Sequence, residues 1–101
     1  MKNIFEYPSS GKSELIEKLV SSDNVTVEKI VSYSNITPED FWYDDSRDEW
    51  VIVLRGKGKL EFEDGKKLEM NEGDFYLIKS HEKHRVIETD NPTLWLCIYF
   101  Q

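Results

Sequence analysis

From Glu49 to Phe100 the chain reads as strand and turn in quick succession, and this spacing constrains the fold more than any other feature. Gly56-Lys57-Gly58, Asp64-Gly65, Asn71-Glu72-Gly73-Asp74 and Asp90-Asn91-Pro92 punctuate short runs in which apolar residues alternate with polar ones. Asp-Gly is the strongest short hairpin signal, because both residues accept the positive φ that a tight turn demands. The runs between the turns read as strands over Glu49 to Arg55, through Leu60 and Phe62, through Leu68 and Met70, Phe75 to Ile78, His84 to Thr89 and Leu94 to Phe100. Ser80 to Lys83 reads as a loop. Short strands at this spacing predict an all-β sandwich or barrel.

The first third of the chain reads differently. Ser13 can cap a helix, Glu14 and Glu17 complement its dipole, and Leu15, Ile16, Leu19 and Val20 form an apolar stripe, so a short helix is expected over Ser13 to Val20, lying across a sheet. From Val25 the period becomes two, with Val25, Val27, Val31 and Tyr33 on one face and Ile30 on the other. Asn35 to Asp40, with Pro38, is a loop. The expected organisation is one domain over residues 1–101, with the helix and a strand in 1–35 and the barrel in 42–100.

Two strands are apolar on both faces. Glu49, Val51 and Val53 oppose Trp50, Ile52 and Leu54, while Leu94, Leu96, Ile98 and Phe100 oppose Trp95, Cys97 and Tyr99. Such strands must be covered on both sides. The N-terminal helix can cover one sheet, and a second copy can cover the other, so a homodimer is expected to hide Trp50 and Trp95. The alternative is that the helix and the N-terminal strand suffice.

With a net charge of −7 and no basic stripe, the chain is not expected to bind nucleic acid or an anionic membrane. No apolar stretch approaches the length of a membrane span. A single cysteine, Cys97, excludes an internal disulfide, and Met1-Lys2-Asn3-Ile4-Phe5-Glu6 has no apolar core of a signal peptide, so a cytoplasmic setting is expected. Cys97 lies mid-strand without an activating partner, and the glycines at 56 and 58 do not open a helix, so nucleophilic and phosphate-loop chemistries find no support.

Strand parity puts Glu49 on a face with Val51 and Val53, and His84 on a face with Val86, so both point into the barrel. A buried acid facing a buried imidazole calls for a reason, such as a metal ion or a polar ligand. Glu49, six residues and Gly56, followed by Gly73-Asp74 and His84, resemble the two motifs of the small single-domain cupins, and the likeness runs from Trp42 to Phe100. The resemblance implies a double-stranded β-helix, the cupin jelly roll. It is nearest to a bacterial branch with Trp-Tyr-Asp before Glu-Trp-Val and His-Arg-Val after the second Gly.

The chain departs from that pattern where the ligands matter. Trp42-Tyr43-Asp44-Asp45 replaces the His-x-His that supplies half of the family's metal ligands, and Asp44 or Asp45 stands where the second His falls. Lys79, His81 and Glu88 replace the usual Pro, Gly and Asn. Glu49, His84, His81, Asp44 and Asp45 are the candidate metal ligands, a nitrogen and oxygen set suited to Fe(II), Mn(II), Ni(II) or Zn(II). Trp42, Tyr43, Val51 and Val86 are the candidate pocket walls. Each has a plainer alternative: Glu49 and His84 can satisfy one another, Asp44 and Asp45 can form a solvated turn, His81 can be exposed, and Trp42 and Tyr43 can pack under the N-terminal segment. Arg85 has the opposite parity to His84 and is expected to pair with a surface acid.

The expected function is a cupin-like protein holding a divalent metal in the barrel and binding or transforming a small molecule. The alternative is a metal-free, non-catalytic module that binds or senses a small ligand. The sequence leaves open whether the protein is an enzyme.

Overall fold

Each alternating run after Asp48 becomes a strand. The computed structural model describes residues 1–101 and contains eight strands: β1 (Leu15–Ser21), β2 (Val25–Ser32), β3 (Asp48–Arg55), β4 (Gly58–Phe62), β5 (Lys67–Met70), β6 (Phe75–Ile78), β7 (His84–Thr89) and β8 (Thr93–Phe100). All pairings are antiparallel. A five-stranded sheet in the order β1-β2-β8-β3-β6 faces a three-stranded sheet in the order β5-β4-β7. This is the two-sheet all-β architecture that the turn spacing predicts, in the jelly-roll form that the cupin resemblance implies. No helix is long and apolar enough to cross a membrane.

The expected helix over Ser13 to Val20 does not form; Leu15–Ser21 is the edge strand β1, paired with β2. Eight residues make barely two turns, and so short a helix is marginal without extensive packing. The free edge of β2 offers a row of backbone hydrogen bonds instead, and a register shift between Lys18 and Val20 absorbs the part of the run that does not alternate. The stripe of apolar residues is thereby split. Leu15 joins the outer side of the sheet beside Val31, whereas Ile16 pairs with Ile30 and turns toward the barrel.

The main core lies between the sheets: Val51 and Val53 from β3, Leu60 and Phe62 from β4, and Trp95 and Cys97 from β8, closed by Met70 and Ile78. Trp95 is therefore covered by its own barrel and needs no second copy. Its indole Nε1 donates to Ser32 Oγ at 3.1 Å, which satisfies the one polar atom of an otherwise apolar side chain. Gly58 makes room for it, since a Cβ there would lie 2.2 Å from Trp95 Cη2. Gly56 turns the preceding loop at a φ of 72°, and a side chain would run into the Pro92 carbonyl.

A smaller cluster of Val31, Tyr33 and Leu94 sits on the outer side of the large sheet, where Tyr7 packs against it. The N-terminal segment covers this region without helical structure, held by Lys29 Nζ on the Glu6 carbonyl at 2.5 Å and by Tyr33 OH on the Pro8 carbonyl at 2.6 Å. Further along the same face Trp50 stacks on Phe75 with ring centroids 5.3 Å apart, and Phe75 is 64% exposed. Trp50 thus keeps the outward direction its parity implies.

Candidate functional site

Glu49 opens the inward face of β3, beside Tyr99 on one neighbouring strand and Ile78 on the other. His84 opens β7 opposite Phe62 and also pairs with Tyr43, through Tyr43 N donating to the His84 carbonyl at 2.8 Å and His84 N donating to the Tyr43 carbonyl at 3.1 Å. The two side chains come from different sheets and meet in the interior. Glu49 Oε1 and His84 Nε2 are 3.6 Å apart, just beyond hydrogen-bond reach.

Both groups border a cavity of about 190 Å³ between the sheets. Its floor includes Val51, Leu60, Trp95 and Cys97, and its rim is made by Glu14, Ile16 and Tyr43, all exposed. Of the expected wall residues, Tyr43, Val51 and Val86 border the cavity. Trp42 does not; it lies under the Arg85 guanidinium, 4.3 Å from the ring centroid, and Arg85 in turn pairs with Glu61.

The electrostatics of the facing pair follow from burial. Desolvation raises the Glu49 carboxyl to about 7, against a smaller lowering by the Cys97 thiol. Burial likewise pushes His84 below the usual imidazole value, against its contact with the Glu82 carbonyl. Both shifts favour uncharged forms and weigh against a fixed ion pair: near neutrality the carboxyl is divided between its protonated and ionised forms, beside a neutral imidazole. His84 Nδ1 lies 2.9 Å from the Glu82 carbonyl, a contact it can make only as a donor, which leaves the lone pair on Nε2 toward the cavity. A carboxyl titrating near neutrality beside an imidazole lone pair can take up, hold or pass on one proton. Cys97 and Tyr99 are pushed up by the same burial and stay protonated, which leaves the cysteine inert as a nucleophile.

The remaining sequence candidates lie elsewhere. His81 Nδ1 contacts Asp44 Oδ1 at 2.8 Å on the surface, with the His81 side chain 66% exposed. Asp45 is gripped by Arg47 through two guanidinium contacts of 3.0 Å and a backbone N–H contact of 2.8 Å, and these hold its carboxyl below the ordinary range. The structure therefore brings Glu49 and His84 together and separates Asp44, Asp45 and His81 from them. No three His, Cys, Asp or Glu side chains are grouped to share one ion. Two donors fall short of the ligand sets of divalent transition metals, so the residues present do not fit such an ion.

Several cavity residues are absent from the sequence candidates, among them the polar side chains of Glu14, Glu28 and Tyr99. Glu14 is hidden by the helical reading of its segment. Glu28 was legible, since it has the parity of Ile30, which the alternation of β2 already sets opposite Val27 and Val31.

An antiparallel jelly roll with a polar pair inside its barrel defines the class of protein. The cupin-domain profile matches residues 37–99, and the chain belongs to the cupin family. A Ralstonia eutropha protein named as a candidate mannose-6-phosphate isomerase is 32% identical, with 100% of this chain and 97% of that one covered and a TM-score of 0.94. A cupin superfamily protein from Desulfitobacterium hafniense superposes with a TM-score of 0.80 at 16% identity, over 93% of this chain and 83% of its own. An RmlC-like cupin from Methanocaldococcus jannaschii gives 0.76 at 18% identity, over 99% and 91%. Among curated proteins none matches.

Proposed function

We propose that this cupin binds a small molecule inside its barrel, with Glu49 and His84 as the polar groups that orient it. One observation carries the reading: a cavity of about 190 Å³ onto which Nε2 of the buried residue His84 opens with no hydrogen-bond partner in the protein. An acceptor accessible only from such a cavity is complemented by whatever occupies it. The volume is below that of pockets for drug-sized ligands and suits a molecule of about six heavy atoms.

Metal-free binding is the form of this reading that the donor set favours. The expected Fe(II), Mn(II), Ni(II) or Zn(II) would find Glu49 and His84 only, while Asp44 and His81 are occupied with each other and Asp45 with Arg47. A second reading, proton-transfer catalysis of the isomerase type, is favoured by the Glu49 carboxyl at about 7 and by the name of the Ralstonia protein. A sugar phosphate fits poorly, because no Lys or Arg is among the residues lining the cavity.

The test is an NMR screen of small fragments on isotope-labelled protein, repeated on a Leu60→Trp variant that fills the cavity. Hits that shift the resonances of Val51, His84 and Val86 and vanish in the variant are expected. Hits confined to the outer surface, or no hits at all, would contradict the reading.

A further inference from the structure

The polar groups of the cavity share one chemical character. Glu49 stands inside, Glu28 projects from β2 and Glu14 stands at the rim, so three carboxyl groups border the same space. His84 adds a lone pair: its side chain is only 8% exposed, and Nε2 has no hydrogen-bond partner within the protein. Tyr43, Trp95 and Tyr99 supply aromatic rings in the wall. No lysine, arginine, asparagine or glutamine borders the cavity. The nearby cation Arg47 lies over the Tyr99 ring, 4.7 Å from its centroid, and is already held by Asp45.

We infer that the cavity selects a small organic cation, a primary or secondary ammonium of about six heavy atoms, whose N–H groups bond to Glu49 and to His84 Nε2 while Glu14 and Glu28 neutralise its charge. This rests on the reading of the cavity as a ligand site and adds the class of ligand. The imidazole lone pair opening on the cavity is what makes the carboxyl groups more than an acidic patch, because an acceptor with no donor within hydrogen-bond distance is complemented by a ligand that brings one, and only a ligand whose donor also carries positive charge complements the carboxyl groups at the same time. A carboxylate or phosphate ligand would meet three acids and no counter-charge, which is the arrangement that rejects anions. The aromatic walls act in the same direction, since ring faces attract cations. The net charge of −7 favours the approach of a cation as well. When an ammonium ion binds, the proton on Glu49 leaves to solvent and the ligand's positive charge replaces it.

Three probes of nearly equal shape separate the possibilities: n-butylammonium, n-butanol and butyrate, titrated into labelled wild-type protein and into Glu28→Gln, with near-ultraviolet circular dichroism confirming that the variant folds. Butylammonium is expected to shift His84, Val51 and Val86 with at least tenfold higher affinity than either isostere, and Glu28→Gln is expected to weaken it several-fold. Butanol or butyrate binding as well as butylammonium at the same resonances would overturn the cation inference and leave the cavity as a ligand site. Butylammonium acting equally on Glu28→Gln would overturn the role of the carboxyl cluster. Failure of all three probes to move any cavity resonance would remove both this inference and the reading on which it rests.

Discussion

Tyr43 and His84 exchange two backbone hydrogen bonds, of 2.8 and 3.1 Å, so the rim of the cavity and the imidazole inside it are parts of one mechanical unit. The linking segment is pinned again at Thr37, whose N–H donates to the Val86 carbonyl and whose Oγ1 accepts from Val86 N, each at 2.9 Å. Thr37 is buried, although it belongs to a loop. A ligand that moves Tyr43 therefore acts on the strand that carries His84.

Thr37→Val tests this coupling. It keeps the side-chain volume and leaves Val86 N–H without its acceptor, at a cost of about 1 kcal/mol or more. Hydrogen exchange should show faster exchange at the Tyr43 and Val86 amides than at core amides of β3 and β8. Unchanged protection at Tyr43 would mean that the rim is held by other contacts.

Stability should fall as pH rises past the ordinary Glu range. The Glu49 carboxyl is raised from 4.5 to about 7, so between those values the folded state holds a proton that the unfolded chain has released. Folding is thus favoured at low pH and loses about 3 kcal/mol by the time pH exceeds the folded value. His84 works in the opposite sense: its lowered value means that the unfolded chain takes up a proton first as pH drops below 6.5, which destabilises the fold on acidification. Glu49→Gln separates the two. Urea unfolding at pH 5, 6, 7 and 8 should show the variant gaining on the wild type as pH rises, whereas a constant difference would contradict the burial of an ionisable carboxyl.

Gly58→Ala should be costly for a strand residue, because its methyl group would penetrate the Trp95 ring. Displacing Trp95 also strains its bond to Ser32. The expected loss is about 2 kcal/mol from overpacking, read by urea unfolding, with a change in Trp fluorescence. A variant as stable as the wild type would show that the indole has room to move.

The homodimer is a proposal that now rests on the outer face of β3 and β6, where Trp50, Phe75 and Leu77 lie together and the last two are 64% and 39% exposed. Sedimentation should give a dimer at micromolar concentration, and Leu77→Glu should give a folded monomer. A wild-type monomer would remove the proposal.

Much of this was legible because β-strand parity is unforgiving. Once Val51 and Val53 are assigned to the core, Glu49 has no choice of face, and the same holds for His84 given Val86. The turns at Gly56, Asp64-Gly65 and Gly73 were equally clear, and each of these glycines has a positive φ. Parity gives no help in loops, so Asp44, Asp45 and His81 could not be placed, and their partners Arg47 and Asp44 emerge only from the path of the backbone. The N-terminal strand was hidden for another reason. Leu15, Ile16, Leu19 and Val20 satisfy a helical stripe locally, and only the exposed edge of β2 decides the matter.

Long-range ¹H–¹⁵N NMR of His84 across a pH titration tests most directly whether its Nε2 lone pair faces Glu49 within the cavity. The account predicts the tautomer protonated at Nδ1 and bare at Nε2 at pH 7.5, with ring protonation only below the ordinary 6.5. An Nε2-protonated tautomer, or a ring that titrates like a solvated imidazole, would contradict it.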